Sequence, residues 1–209
     1  MPQLESRLLI VTDRRQTGGR PLVSLLCQVL SAGTPGIQLR ERDLPARNLV
    51  SLAREVLAMT AASKSQLIIN DRVDVALTLN EVGVHLRSNS LPVSVARRLL
   101  GPQRLLGVSV HSVEEASRAG AEGADYAVFG PVYETASKRE FGPPLGLSLL
   151  EQACRRATIP IVAIGGVTAA RVREVRCAGA FGVAVIGAIF GADDVAAATR
   201  GLIGAVTAP

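Results

Sequence analysis

Several short polar clusters in this chain combine residue types suited to chemistry on a small anionic molecule. Gln38, Arg40 and Arg42 alternate in QLRER, so in an extended strand they share one face. Asn70-Asp71 sets an amide beside a carboxylate, and Ser109 and His111 alternate in SVH. Gly165-Gly166-Val167-Thr168 and Ile186-Gly187-Ala188 are turns whose backbone N–H groups can converge on one phosphate, with glycine keeping the amides open to its oxygens. Guanidinium groups grip phosphate in a planar fork. An imidazole, with a pKa of about 6.5, can take a proton from one carbon and return it to another.

Each cluster also has a plainer use. Glycine pairs make tight turns, a histidine opening a helix can serve only as its cap, and His85 reads as a hydrogen-bonded core residue. The stretch 131–145, PVYETASKREFGPPL, carries Thr135, Ser137 and Lys138, donors suited to an anion. It exceeds the ~2–6 residues of ordinary βα connections, which suggests a lid; the alternative is a solvated loop.

The elements that must position these residues follow from the apolar pattern. Runs at Leu8–Asp13, Gly36–Arg40, Gln66–Asn70, Gly83–Leu86, Leu105–His111, Tyr126–Gly130, Pro160–Ile164 and Gly182–Ile186 are continuously apolar, as parallel strands covered on both faces are. Helical periodicity lies between them, for example at Ala46–Ala61 and Val113–Ala121. Ser112 with Glu115 forms a capping-box pattern, and Gly33, Gly101, Gly123 and Gly179 stand where helices should end. Eight strand–helix units in 209 residues predict a single α/β domain over 1–209, a (β/α)8 TIM barrel with its site at the C-terminal strand ends. A doubly wound open sheet is the alternative, but the first strand ends TDRRQTGG, a poor dinucleotide turn.

Composition narrows the function classes. The net charge is +5, and the cations are arginine apart from Lys64 and Lys138. They are spread along the chain, with six aromatics and no Trp, so a nucleic-acid partner is not expected. No signal peptide is read at the start. The 19 uncharged residues from Pro21 to Leu39 are broken by Gly33, Pro35 and Gly36, so no membrane partner is expected either. Cys27, Cys154 and Cys177 have no metal or redox spacing, and a cytoplasmic location with reduced thiols is expected. A homo-oligomer is allowed.

The motifs VTD, QLRER, INDRVDVAL, GVHL, LGVSVHSVEEA, GADYAVFGPVYET..SK, GLSLL, PIVAIGGV and AGAFGVAVIGAIF, from about Leu8 to Ala205, together resemble the thiamine phosphate synthase/TenI family. The resemblance implies a (β/α)8 barrel and one of two activities. Synthases join hydroxymethylpyrimidine pyrophosphate to a thiazole phosphate and release pyrophosphate, using Mg²⁺. TenI-type proteins move a proton to aromatise a thiazole carboxylate phosphate, with no cofactor.

By this resemblance Gln38, Arg40 and Asn70 contact the pyrimidine pyrophosphate, and Asp71 is a Mg²⁺ ligand in the synthase reading. Thr135, Ser137 and Lys138 match the loop after strand 6, while Gly166, Ile186 and Gly187 match the thiazole phosphate cradle. The chain departs from the synthase pattern where GVHLGQ(D/E)D reads GVHLRSNS, which puts Ser90 in place of the second metal-binding aspartate. It departs also at Arg42, a lysine in synthases, and at Gly187, a serine there. QLRERD, SVHSVEEA and VYETASK resemble the TenI type, in which His111 would be the acid/base. The expected function is therefore a TenI-type thiazole tautomerase binding a small thiazole phosphate. Thiamine phosphate synthase is the alternative, and a non-catalytic phosphate-ligand module a third reading.

Overall fold

A run of four or five apolar residues cannot satisfy its own backbone polar groups, so each must find ladder partners. The computed structural model describes residues 2–135 and 142–208. In it the strands β1 (Leu8–Val11), β2 (Gly36–Leu39), β3 (Leu67–Asn70), β4 (Gly83–Leu86), β5 (Leu106–Val110), β6 (Tyr126–Phe129), β7 (Ile161–Ile164) and β8 (Gly182–Val185) pair in parallel and in order. β8 returns to β1, with Leu8 opposite Val183, and closes the barrel. The (β/α)8 expectation is met. Most strands are one or two residues shorter than their apolar runs, because residues such as Arg40 and His111 have already turned out of the ladder.

The helices are α1 (Leu22–Ala32), α2 (Ala46–Ser63), α3 (Val73–Leu77), α4 (Val93–Leu100), α5 (Val113–Ala119), α6 (Gly146–Arg156), α7 (Val172–Cys177), α8 (Gly187–Phe190) and α9 (Val195–Thr207). Gly33 and Gly101 are C-caps, whereas Gly123 and Gly179 lie just beyond the caps of α5 and α7. Ser112 Oγ accepts the Glu115 amide at 3.1 Å, but the Glu115 carboxylate reaches the amide of His111 rather than that of Ser112.

Side-chain alternation divides the core in two. Leu8, Ile10, Ile37, Leu39, Leu67, Ile69, Val84 and Leu86 face outward and pack under the helices. Each such fully buried aliphatic contributes about 1.5–3 kcal/mol. The alternate residues Leu9, Val11, Ile68, Tyr126, Val128, Val162 and Ala184 fill the barrel. Gly107 stands in register between His85 and Tyr126, and a Cβ there would lie 2.1 Å from the tyrosine ring. Its missing side chain is what lets Tyr126 reach across β5 to His85.

Candidate active site

The inward alternation that fills the barrel with Ile68 and Val128 becomes polar one step further along each strand. Gln38 and Asn70 are buried, and Gln38 Nε2 donates to Asn70 Oδ1 at 2.9 Å. Arg40 follows on the same face. Its guanidinium lies 3.2 Å from Asp13, and its amide donates to Thr12 Oγ1. Burial, then the charge of Arg42, lowers its pKa against the pull of Asp13. Thr12 donates to Glu41 Oε1 at 2.6 Å, and the other oxygen of Glu41 accepts the Arg14 amide. Burial raises the Glu41 pKa in spite of these bonds. Thr12 and Glu41 were not singled out by the sequence, because an isolated Thr and Glu outside the ladder give no periodic signal. Arg42 departs from the expected shared face: β2 ends at Leu39, and Arg42 sits exposed in the following turn. It still lines a pocket of about 250 Å³ with Glu41, Asn70, Asp71, Arg72 and Arg87.

Asp71 directly follows β3 with φ +67, a left-handed conformation that costs a non-glycine residue about 1–2 kcal/mol and that aspartate tolerates better than most. Its amide donates to the carbonyl of His85 and its own carbonyl accepts from Val73, which hold it there. Arg87 Nε donates to Oδ2 at 2.7 Å, and Nη2 reaches the same oxygen. Oδ1 is buried with no hydrogen-bond partner among the described residues. Burial disfavours the charge, but Arg87, aided by the nearby Ser90 hydroxyl, outweighs it and keeps the carboxyl below its ordinary pKa.

The Mg²⁺ expectation can be tested on these donors. Mg²⁺ is a hard octahedral ion, held by one or two carboxylates plus substrate phosphates. Here one carboxylate is present, a guanidinium occupies its Oδ2, and Ser88, Asn89 and Ser90 are neutral. No group of three or more His, Cys, Asp or Glu able to hold a metal occurs among the described residues. The one oxygen of Asp71 that Arg87 leaves uncommitted, Oδ1, is buried, so the donor set does not fit a protein-held Mg²⁺.

On β4–β6, His85 Nε2 lies 2.9 Å from Ser109 Oγ, and Nδ1 lies 3.1 Å from Tyr126 Oη. His85 is the hydrogen-bonded core residue that the sequence suggested, with two partners now identified, and burial pushes its pKa down to about 3. Ser109 is half-buried above it. His111 is exposed at the rim, with Nδ1 2.6 Å from the carbonyl of Gly130. A carbonyl only accepts, so Nδ1 carries a proton, and in the neutral ring Nε2 keeps its lone pair.

At β7 and β8 the construction is backbone. Gly165 and Gly166 have φ +99 and +63. Side chains there would strike Pro131 at 2.6 Å, and Glu134 O and Tyr133 Cβ at 2.7 and 2.8 Å. On sequence grounds these glycines serve phosphate approach; in the structure it is the chain after β6 that presses on them and leaves no room for a side chain. Tyr133 N donates to Gly165 O, Arg171 stacks on the Tyr133 ring at 4.4 Å, and Arg171 Nη1 donates to Gly166 O. Gly187 is open by contrast: its nearest contact for an added Cβ is Gln16 Oε1 at 3.5 Å. The amides of Gly166 and Gly187 meet no acceptor among the described residues. The expected pair of helix dipoles shrinks, because α7 starts only at Val172 and α8, which follows its N-cap Ile186, is a single turn. Thr135 follows Glu134, whose carbonyl lies against Gly166, whereas Ser137 and Lys138 fall outside the described residues.

Polar side chains and, among the described residues, unpaired amides thus gather at the C-terminal rim of the barrel, where enzymes of this fold carry their sites. The family model described as thiamine monophosphate synthase matches residues 8–189. The thiamine-phosphate synthase of Roseiflexus castenholzii is 46% identical over 193 residues, covering 92% of this chain and 85% of that protein. That of Moorella thermoacetica is 44% identical, covering 99% and 98%. A thiamine phosphate pyrophosphorylase structure from Pyrococcus furiosus superposes with a TM-score of 0.87 at 36% identity, over 96% of this chain and 95% of that one. The chain belongs to the thiamine phosphate synthase/TenI family. Of the two family activities, the relatives' names favour the synthase, which the sequence ranked second, over the tautomerase it ranked first.

Proposed function

We propose that this protein is a thiamine phosphate synthase, transferring a hydroxymethylpyrimidine group from its pyrophosphate to a thiazole phosphate and releasing pyrophosphate. The observation that carries this reading is the identity of 44–46% to proteins named for that activity, along almost the whole chain. Gln38, Asn70 and Arg40 would hold the pyrimidine pyrophosphate, with Ser109 alongside. Gly165, Gly166, Ile186 and Gly187 would hold the thiazole phosphate through main-chain N–H groups, and by the family resemblance Thr135, Ser137 and Lys138 would be further donors to the ligand. Fixed donors placed where negative charge collects on a departing pyrophosphate stabilise the transition state.

One observation keeps the tautomerase as the second reading. The carbonyl of Gly130 orients His111 and leaves Nε2 available at the rim. Incubating the purified protein with each substrate set separates the two. Thiamine phosphate formation is expected; its absence at saturating substrates, with or without Mg²⁺, overturns the synthase reading. Aromatisation of the thiazole carboxylate phosphate, lost in His111→Ala, would establish the tautomerase instead. Binding of thiazole phosphate without turnover of either set would leave the non-catalytic module.

The expectations of a cytoplasmic protein, with no nucleic-acid partner and free to form a homo-oligomer, belong to this reading. No described helix is long and apolar enough to cross a membrane.

A further inference from the structure

The rim between β3 and β4 is charged in a way that neither activity explains. Arg87 directly follows β4, where it grips Asp71 through Nε and Nη2. Asp71 is held by its backbone in a left-handed conformation, so the ion pair has one well-defined end. The position where the family pattern carries a second carboxylate is Ser90. A divalent cation approaching Asp71 would meet a guanidinium already bound to Oδ2, with no second anion to offset the repulsion.

The same guanidinium is suited to an anion. Its side chain is 43% exposed while that of Asp71 is 17% exposed, so the carboxylate is covered and the cation faces the pocket opening. Two of its five N–H donors serve Asp71, and the remainder can meet phosphate oxygens in the planar fork that arginine offers. Arg42 and Arg72 line the same 250 Å³ pocket. Arg72 is committed to Asp74 through two hydrogen bonds, whereas Arg42 has no carboxylate within salt-bridge distance among the described residues. Glu41, the other acid of the lining, faces Thr12 and the Arg14 amide.

We propose that Arg87, anchored by Asp71, is the fixed cation of the pyrophosphate end of the site, and that this chain binds a diphosphate group there without a protein-held divalent metal. The inference rests on the synthase reading for the nature of its ligand, but its test needs no turnover. Calorimetric titration with inorganic pyrophosphate is run on the full chain in EDTA and again in excess Mg²⁺. Affinities that agree within about threefold are expected, and Arg87→Ala should weaken binding about tenfold or more. Arg87→Lys, which keeps the charge and loses the fork, should fall between the two and guards against a folding defect in the alanine variant. The double variant Arg87→Gly/Ser90→Asp should gain Mn²⁺ binding, read by electron paramagnetic resonance, together with pyrophosphate affinity that depends on Mg²⁺.

Three results overturn the proposal: pyrophosphate binding to the wild type only when Mg²⁺ is present, no binding in either condition, or unchanged affinity in Arg87→Ala. Failure of the synthase reading looks different, as pyrophosphate would bind in EDTA while no thiamine phosphate forms under any metal condition.

Discussion

The two sides of the barrel mouth are built from different materials. Around β7 and β8 the proposed contacts are amides, held by glycines at positive φ and by the tyrosine-bearing chain after β6. Around β2–β4 they are side chains locked by partners: Gln38 to Asn70, Arg40 to Asp13, Arg87 to Asp71. A backbone site depends on chain geometry and tolerates changes in neighbouring side chains. A side-chain site changes its chemistry with one substitution and leaves the barrel standing. This explains how one chain can keep the glycine turns of its family while its metal-side residues differ.

The comparison can be broken most severely at Gly166. Gly166→Val forces a β-branched residue to φ +63 and into Tyr133 and Glu134, so it should cost roughly 3 kcal/mol or more in urea unfolding and abolish phosphate binding by calorimetry.

His85 lies between the two sides and tests their shared floor. Its folded pKa of about 3 lies below the ordinary 6.5, so the unfolded chain binds the extra proton between those values. Stability from this group is complete above pH 6.5 and falls on acidification, with a slope of up to about 1.4 kcal/mol per pH unit, levelling off below about pH 3. Urea melts from pH 7 to 4 should show that slope in the wild type and its loss in His85→Gln.

At the side-chain half, Asp71→Asn keeps a residue that tolerates left-handed backbone and should change stability by no more than about 1 kcal/mol. Asp71→Ala should be less stable than Asp71→Asn by about 1 kcal/mol, and both should weaken pyrophosphate binding. The smallest effect is expected at Gly187. Gly187→Ser has room for its Cβ and should shift stability by less than about 0.5 kcal/mol with phosphate binding retained. A large loss there would mean that this turn is as tightly enclosed as Gly166.

Much of the frame was legible because buried parallel strands are continuously apolar and glycines punctuate the chain. That Gln38 and Arg40 share a face followed from strand alternation alone. Alternation failed at Arg42, where the ladder had already ended. The bonds Thr12–Glu41 and Arg87–Asp71 were hidden for another reason. Each joins residues at the ends of neighbouring strands, and their meeting depends on register, Val11 with Gln38 and Asn70 with His85, which no local pattern reveals. The role of Arg171 and Tyr133 in covering the Gly166 turn likewise needed the three-dimensional path of the chain.

Closure of the barrel by β1 on β8 also has a consequence for how the molecule is made. On the ribosome, Leu8–Val11 emerges early and Gly182–Val185 late, so one edge of the first strand stays unpaired through most of translation. α1 waits equally long for α9, with which it packs closely in the finished barrel. An open apolar strand edge is a template for pairing with another chain. Nascent copies truncated before β8 are therefore the species most exposed to aggregation, and pairing across so long a stretch of sequence favours slow completion of the fold.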